Sequence, residues 1–207
     1  MITIIDYKAG NLTSVKLAFE SIGQKVKITD QPQDILCAEK IVFPGVGAAQ
    51  SAMDNLKSLN ILSAIKNVIA DGVPFFGICI GMQLLFESSQ EDGGTECTGI
   101  LPGSVKKFKT DDKFCKIPQM GWNTVKITKP HPIFSSIDNN SEFYFVHSYY
   151  PDCSNKYYII GQTEYADAVF SSAVAKGNIV AVQFHPERSG RIGLKMLENF
   201  SNWNGKC

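Results

Sequence analysis

The chain has no charge surplus. Lys+Arg and Asp+Glu number 20 each in 207 residues, giving a formal net charge of +0 at pH 7 with histidine neutral. A balanced surface makes no field that would recruit nucleic acid or an anionic membrane. The densest basic stretch, Lys106-Lys107-Phe108-Lys109, is followed at once by Asp111-Asp112, the pattern of a solvated face. No apolar run approaches the ~20 residues of a membrane span. Met1 to Asp6 lacks the basic and apolar regions of a secretion signal, so a cytoplasmic protein is expected. The six cysteines (Cys37, Cys79, Cys97, Cys115, Cys153 and Cys207) form no C-x-x-C pair. That argues against a metal cluster or a redox dithiol and predicts free thiols. Pro44-Gly45-Val46-Gly47 begins like a dinucleotide loop, but Gln50 takes the last glycine position of G-x-G-x-x-G. No metal and no cofactor are expected. Linkers, internal repeats and low-complexity segments are missing too, which predicts one domain over residues 1–207.

What is present is an ordinary globular composition, 44% hydrophobic and 19% charged, enough for a sizeable core. The first half alternates strand and helix signals. Met1 to Ile5 reads as a buried strand. A helical run from Leu12 closes at Gly23. Strands follow at Lys25 to Thr29 and Lys40 to Phe43. Residues 48 to 71 read as helix with a break near Ser58-Leu59-Asn60. Val73 to Phe76 leads as a strand into a turn, and Met82 to Phe86 starts another helix. This is the pattern of a parallel sheet covered on both faces. From about Gly99 to Val182 the chain is richer in strands and turns, including Trp122 to Ile127, Glu142 to Val146, Tyr157 to Ile160 and Ile179 to Phe184. Antiparallel additions to the same sheet are predicted, then a closing helix over Arg191 to Trp203.

Gly77-Ile78-Cys79-Ile80-Gly81 places one cysteine between two glycines at a strand-to-helix turn. Thiol catalysis needs the thiolate, and a helix N-terminus favours negative charge with outward-pointing N–H groups. The flanking glycines are expected to let the backbone take strained angles. The Ile80 N–H would then face the oxygen of a tetrahedral intermediate. Far downstream lies His185-Pro186-Glu187. Pro186 biases His185 toward an extended backbone. In that geometry residues i and i+2 share a side, so Glu187 can hold the His185 ring. The Pro44–Gly47 segment reads as flexible backbone able to offer N–H groups to an oxyanion. His131, set between prolines, reads as a loop histidine. His147 ends an apolar strand and reads equally well as structural or functional. On these residues alone, a cysteine hydrolase and a non-catalytic binding module both stay open.

Taken together, Gly77 to Gln83 and Gln183-Phe184-His185-Pro186-Glu187 resemble the motifs of the class I, triad-type glutamine amidotransferases. Ile5-Asp6-Tyr7 with Gly10-Asn11-Leu12, Pro118 to Asn123 and Phe143 to Tyr149 resemble the branch that works with a (β/α)8-barrel cyclase in histidine biosynthesis. The resemblance implies a three-layer, flavodoxin-like α/β fold with a mostly parallel central sheet. It implies that Cys79 attacks glutamine, that His185 shuttles the proton and that Glu187 orients His185. Ile80, Val46 and Gly47 would serve the oxyanion. Gly45, Gln83, Glu91, His147, Ser148 and Tyr149 would contact the substrate. Asn11, Trp122 and Tyr144 would face the barrel, forming a heterodimer that channels ammonia. Ile80 replaces the commoner leucine, Lys8-Ala9 replaces glycine and a small residue, and Arg188 replaces lysine. The last two changes bear on partner choice and leave open a relative that feeds ammonia to surface-glycan synthesis.

Overall fold

The computed structural model describes residues 1–8, 10 and 12–206, so Ala9, Asn11 and Cys207 lie outside the described residues. Its first half runs β1 (Ile2–Ile5), α1 (Leu12–Ser21), β2 (Val26–Thr29), α2 (Pro32–Leu36), β3 (Ile41–Phe43), α3 (Ala49–Ser58), α4 (Leu62–Ala70), β4 (Phe75–Ile78) and α5 (Ile80–Gln83). There follow two short strands, β5 (Ser88–Ser89) and β6 (Thr95–Glu96), then β7 (Gly103–Lys107), β8 (Gln119–Ile127), β9 (Ser141–His147) and β10 (Tyr149–Cys153). The chain closes with β11 (Ile159–Tyr165), β12 (Ala168–Lys176), β13 (Ile179–Val182) and α6 (Gly190–Asn202).

Among the described residues the main sheet is nine-stranded, in the order β2-β1-β3-β4-β13-β12-β11-β8-β9. From β2 to β13 the pairs are parallel. From β13 to β9 they are antiparallel. Every residue of β1, β3, β4 and β13 is buried, as a parallel strand covered on both faces requires. Successive side chains part to opposite faces. Phe75 joins Ile41, Phe43, Leu56 and Ile65 under α3 and α4, while Phe76 joins Val42, Phe19 and Phe200 under α1 and α6. The result is the expected three-layer α/β fold with antiparallel strands added on one side. A second sheet, β10-β7-β5-β6, packs beside it. Ser148 alone links β9 of the main sheet to β10 of the small one.

Three local expectations change, and one helix is added. The helix expected over Met82 to Phe86 is one turn, Ile80–Gln83. Beyond it Leu85 and Phe86 donate to the Met82 and Gln83 carbonyls at 3.1 and 3.2 Å, three residues back, and the carbonyls of Leu84, Leu85 and Phe86 accept from Thr98, Leu101 and Gly99, at 3.0, 2.7 and 2.9 Å, so the α-helical ladder is not continued. The strand expected from Tyr157 opens instead as a 3-10 turn, Lys156–Tyr158, capped by the Asn155 side chain. The strand expected through Phe184 ends at Val182. Finally, α2 starts at Pro32, whose fixed φ suits a first helical position; the sequence reading did not anticipate it.

Strand order places the carboxyl ends of β1, β3, β4 and β13 side by side, where open α/β sheets present their sites. Two glycines set how closely α5 approaches them. A Cβ on Gly81 would lie 1.7 Å from the Phe43 carbonyl oxygen, and one on Gly77 3.0 Å from the Ala181 Cβ. Gly81→Ala is therefore expected to destabilise the fold by about 3 kcal/mol. Urea unfolding reads this directly, and an unchanged midpoint would contradict the contact.

Candidate active site

Cys79 follows β4 with φ 55° and ψ −112°, a left-handed conformation for a side-chain-bearing residue. Its N–H donates to the Val182 carbonyl at 2.8 Å, and its own carbonyl accepts from Met82 and Gln83 at 3.0 and 3.1 Å. The strain expected at the flanking glycines sits on the cysteine itself, because neither Gly77 nor Gly81 has a positive φ. Those glycines serve the close packing just described. Ile80 is the first residue of α5, so its amide has no preceding helical carbonyl to bond.

His185 and Glu187 meet with Nδ1 2.8 Å from Oε1, both side chains buried. They do not meet by the extended route the sequence suggested. His185 is extended, but Pro186–Arg188 forms a 3-10 turn that folds Glu187 back onto the ring. The turn is anchored to β9. The His185 N–H donates to the Tyr144 carbonyl at 2.9 Å. The Tyr144 N–H donates to Ser189 Oγ at 3.0 Å, which donates to the His185 carbonyl at 2.7 Å.

Because Nδ1 is given to Glu187, Nε2 is the nitrogen left for the thiol. Nε2 is buried and makes no hydrogen bond of normal geometry among the described residues, although the sulfur lies close enough to act on its charge. Burial opposes charge on this ring. The Cys79 sulfur and the Glu187 carboxylate outweigh it and raise the histidine to about 10. The other two histidines go the opposite way: burial lowers His131 and His147 to about 4. His131 Nδ1 accepts the Ile133 N–H at 3.1 Å, a capping role. His147 Nδ1 lies 2.8 Å from the Tyr149 carbonyl, which only accepts, so this nitrogen carries the proton.

A cavity of about 300 Å³ opens over Cys79 and Ile80, walled by Val46, Gly47, Gln83, Glu91, Pro118, His147, Ser148 and Tyr149. Gly45 lies behind this wall, where a Cβ would sit 1.8 Å from Tyr7 Oη and 2.4 Å from Ile80 Cγ2. Gly47 has φ 109°, a conformation that glycine adopts without strain. One Glu91 oxygen accepts the Ala49 N–H at the start of α3 at 2.7 Å, while burial pushes its carboxyl up. Gln83 Nε2 donates to the Tyr149 carbonyl at 2.9 Å and to Gln183 Oε1 at 2.8 Å. Gln183 Nε2 in turn lies 3.6 Å from Cys79 Sγ. The structure thus gathers a thiol, an imidazole and a carboxylate beneath a cavity large enough for an amino acid. Among the described residues no group of three or more His, Cys, Asp or Glu could hold a metal.

Comparison with known proteins agrees with this geometry. The model of the glutamine amidotransferase class-I family matches residues 3–202. The chain belongs to the class I glutamine amidotransferases. It is 50% identical over 204 residues to the imidazole glycerol phosphate synthase subunit HisH of Methanocaldococcus jannaschii, covering 97% of this chain and 98% of that one. Against the HisH subunit of Nitrosococcus oceani it is 45% identical over 206 residues, covering 99% and 98%. The structure of PurLQS from Thermotoga maritima shares the fold, with a TM-score of 0.70 at 19% identity and 97% coverage of both chains.

For this amidotransferase, sequence reading missed two buried polar neighbours of the cysteine. Gln183 was read only as part of a motif. Tyr7 has a buried hydroxyl with no hydrogen-bond partner among the described residues, and burial and Cys79 raise its pKa well above the ordinary value. No periodicity marks either residue. On the far side, Trp122 and Tyr144 face each other across β8 and β9 with ring centroids 6.2 Å apart, and Met120 is exposed two residues from Trp122. Asn11 lies outside the described residues.

The histidines divide into two kept neutral and one kept charged. An NMR titration should show no ring with a midpoint between about pH 5.5 and 8.5, where a free histidine titrates. The signs also set stability. His185 contributes fully below about 6.5 and loses its contribution as pH rises toward about 10. His131 and His147 cost stability as pH falls from about 6.5 toward about 4, because the unfolded chain takes up their protons first. A ring titrating near 6.5 in the folded protein would contradict this division.

Proposed function

We propose that this chain is the glutaminase subunit of an imidazole glycerol phosphate synthase, hydrolysing glutamine and passing ammonia to a (β/α)8-barrel cyclase in histidine biosynthesis. The observation that carries the chemistry is the meeting of Cys79, His185 and Glu187 beneath the cavity. The near full-length likeness to HisH subunits supports the pathway.

In this reading the Cys79 sulfur attacks the side-chain carboxamide carbon of glutamine. The oxyanion takes the Ile80 N–H and an N–H from the Val46–Gly47 segment. His185, charged between sulfur and Glu187, gives its proton to the departing nitrogen as the C–N bond breaks. Ammonia leaves, and a glutamyl thioester remains on Cys79. Water, deprotonated by His185, then releases glutamate. Glu91 suits the substrate's α-amino group, since a carboxylate half-buried at the cavity wall gains from a cationic partner. His147, Ser148 and Tyr149 supply the opposite wall. The Met120, Trp122 and Tyr144 patch is the proposed docking face. Pro118, two residues before Met120, lines the cavity, so the patch and the cavity are joined by one short stretch of chain.

The decisive measurement mixes the chain with a histidine-pathway barrel cyclase, its ribotide ligand and glutamine, and follows glutamate. Release is expected, and Cys79→Ala should lower it roughly ten-thousand-fold. Release retained by Cys79→Ala would remove the nucleophile, and release with a glycan-pathway barrel alone would reassign the acceptor. Trp122→Ala should weaken binding to the barrel about tenfold or more. The same change should leave the unfolding free energy of the isolated chain, read by urea, within about 0.5 kcal/mol, because the ring is half exposed.

A further inference from the structure

Cys79 has a polar neighbour that the proton-shuttling scheme leaves without a role. Gln183 follows β13 and is fully buried. Its backbone N–H is fixed by the Ser172 carbonyl at 2.9 Å. Its carboxamide lies between Gln83, at 2.8 Å, and the Cys79 sulfur, at 3.6 Å.

Which end of that carboxamide meets the sulfur follows from what each neighbour can accept. The Tyr149 carbonyl only accepts, so the Gln83 atom 2.9 Å away is the nitrogen. Its second hydrogen points at Gln183, whose atom at 2.8 Å must be the oxygen. The Gln183 nitrogen then faces the sulfur. One backbone carbonyl on the cavity wall thus sets the polarity of two side chains and presents a donor to the sulfur. A donor bonds more strongly to an anionic acceptor than to a neutral one.

We propose that Gln183 is a positioning residue for Cys79, its carboxamide oriented by Gln83 and the Tyr149 carbonyl so that it holds the sulfur and stabilises the thiolate. This inference rests on Cys79 being the nucleophile of the proposed glutaminase. The thiolate then has the amide of Gln183 as a donor and the charge of the nearby His185 ring as a counter-ion.

The test is alkylation of Cys79 by iodoacetamide, resolved peptide by peptide because other cysteines react. It needs neither glutamine nor a barrel. Gln183→Met keeps the length of the side chain and removes the donor. Cys79 should then react about tenfold more slowly at about pH 7 and at the unaltered rate at about pH 10, where thiols ionise without help. Gln183→Glu presents oxygens to the sulfur and should slow the reaction further at the lower pH. Gln83→Met leaves the Gln183 amide in place but free to turn, and should give a smaller loss of the same kind.

An unaltered rate in Gln183→Met at about pH 7 would overturn the proposal, and so would equal slowing at both pH values, the mark of a packing defect alone. If Gln183→Met does not fold, Gln83→Met decides, and wild-type reactivity there would overturn it. The nucleophile assignment fails separately, through glutamate release that survives Cys79→Ala.

Discussion

A left-handed backbone at a residue with a side chain costs on the order of 1–3 kcal/mol and persists only where its surroundings leave no alternative. At Cys79 those surroundings are specific. β13 receives its N–H through Val182, the first turn of α5 takes its carbonyl, and glycines at 77 and 81 let Ala181 and the Phe43 carbonyl close in on either side. Each of these contacts depends on β3, β4 and β13 being adjacent and parallel, so the topology of the sheet and the pose of one thiol are a single problem. The same three strands bring Val46, Gly47 and His185 to the cysteine, since the segments that carry them leave the sheet at neighbouring points.

The electrostatics follow from burial and from who shares it. Three histidines are all nearly inaccessible, yet two are held neutral and one charged. Desolvation acts on all three in the same direction. Only His185 has both a carboxylate on one nitrogen and a sulfur near the other, and this pairing reverses the outcome. His147, packed against Phe145, gives its one proton to a backbone carbonyl instead. The acid–base character of the site is therefore set by neighbours, and the amount of burial does not decide it.

What could be read from the sequence divides along the same lines. The fully buried parallel strands were legible because runs such as Ile2–Ile5 have no alternative to a covered sheet. Cys79, His185 and Glu187 stood out because their chemistry is uncommon and glycine and proline punctuate them. Less legible was anything decided by partners distant in sequence. The helix after Cys79 stops at one turn, and the carbonyls of residues 84–86 pair with residues 98–101 instead of continuing it. The i and i+2 spacing points to the His185–Glu187 pair by an extended geometry, whereas a 3-10 turn joins them. Gln183 reads as one more strand residue until Gln83, a hundred positions earlier, is seen to orient it. Tyr7 passes as core until the glycine it packs against proves to be Gly45.

Tyr144 faces two ways. Its ring stands on the same surface as Trp122, while its peptide group grips both ends of the His185 backbone, directly and through Ser189. Nothing in that grip involves the ring. Any residue except proline can supply the same N–H and carbonyl, so the surface character of the position is free to drift over evolutionary time without loosening the histidine. Substitution of the ring would change this patch and leave the backbone hold on His185 intact.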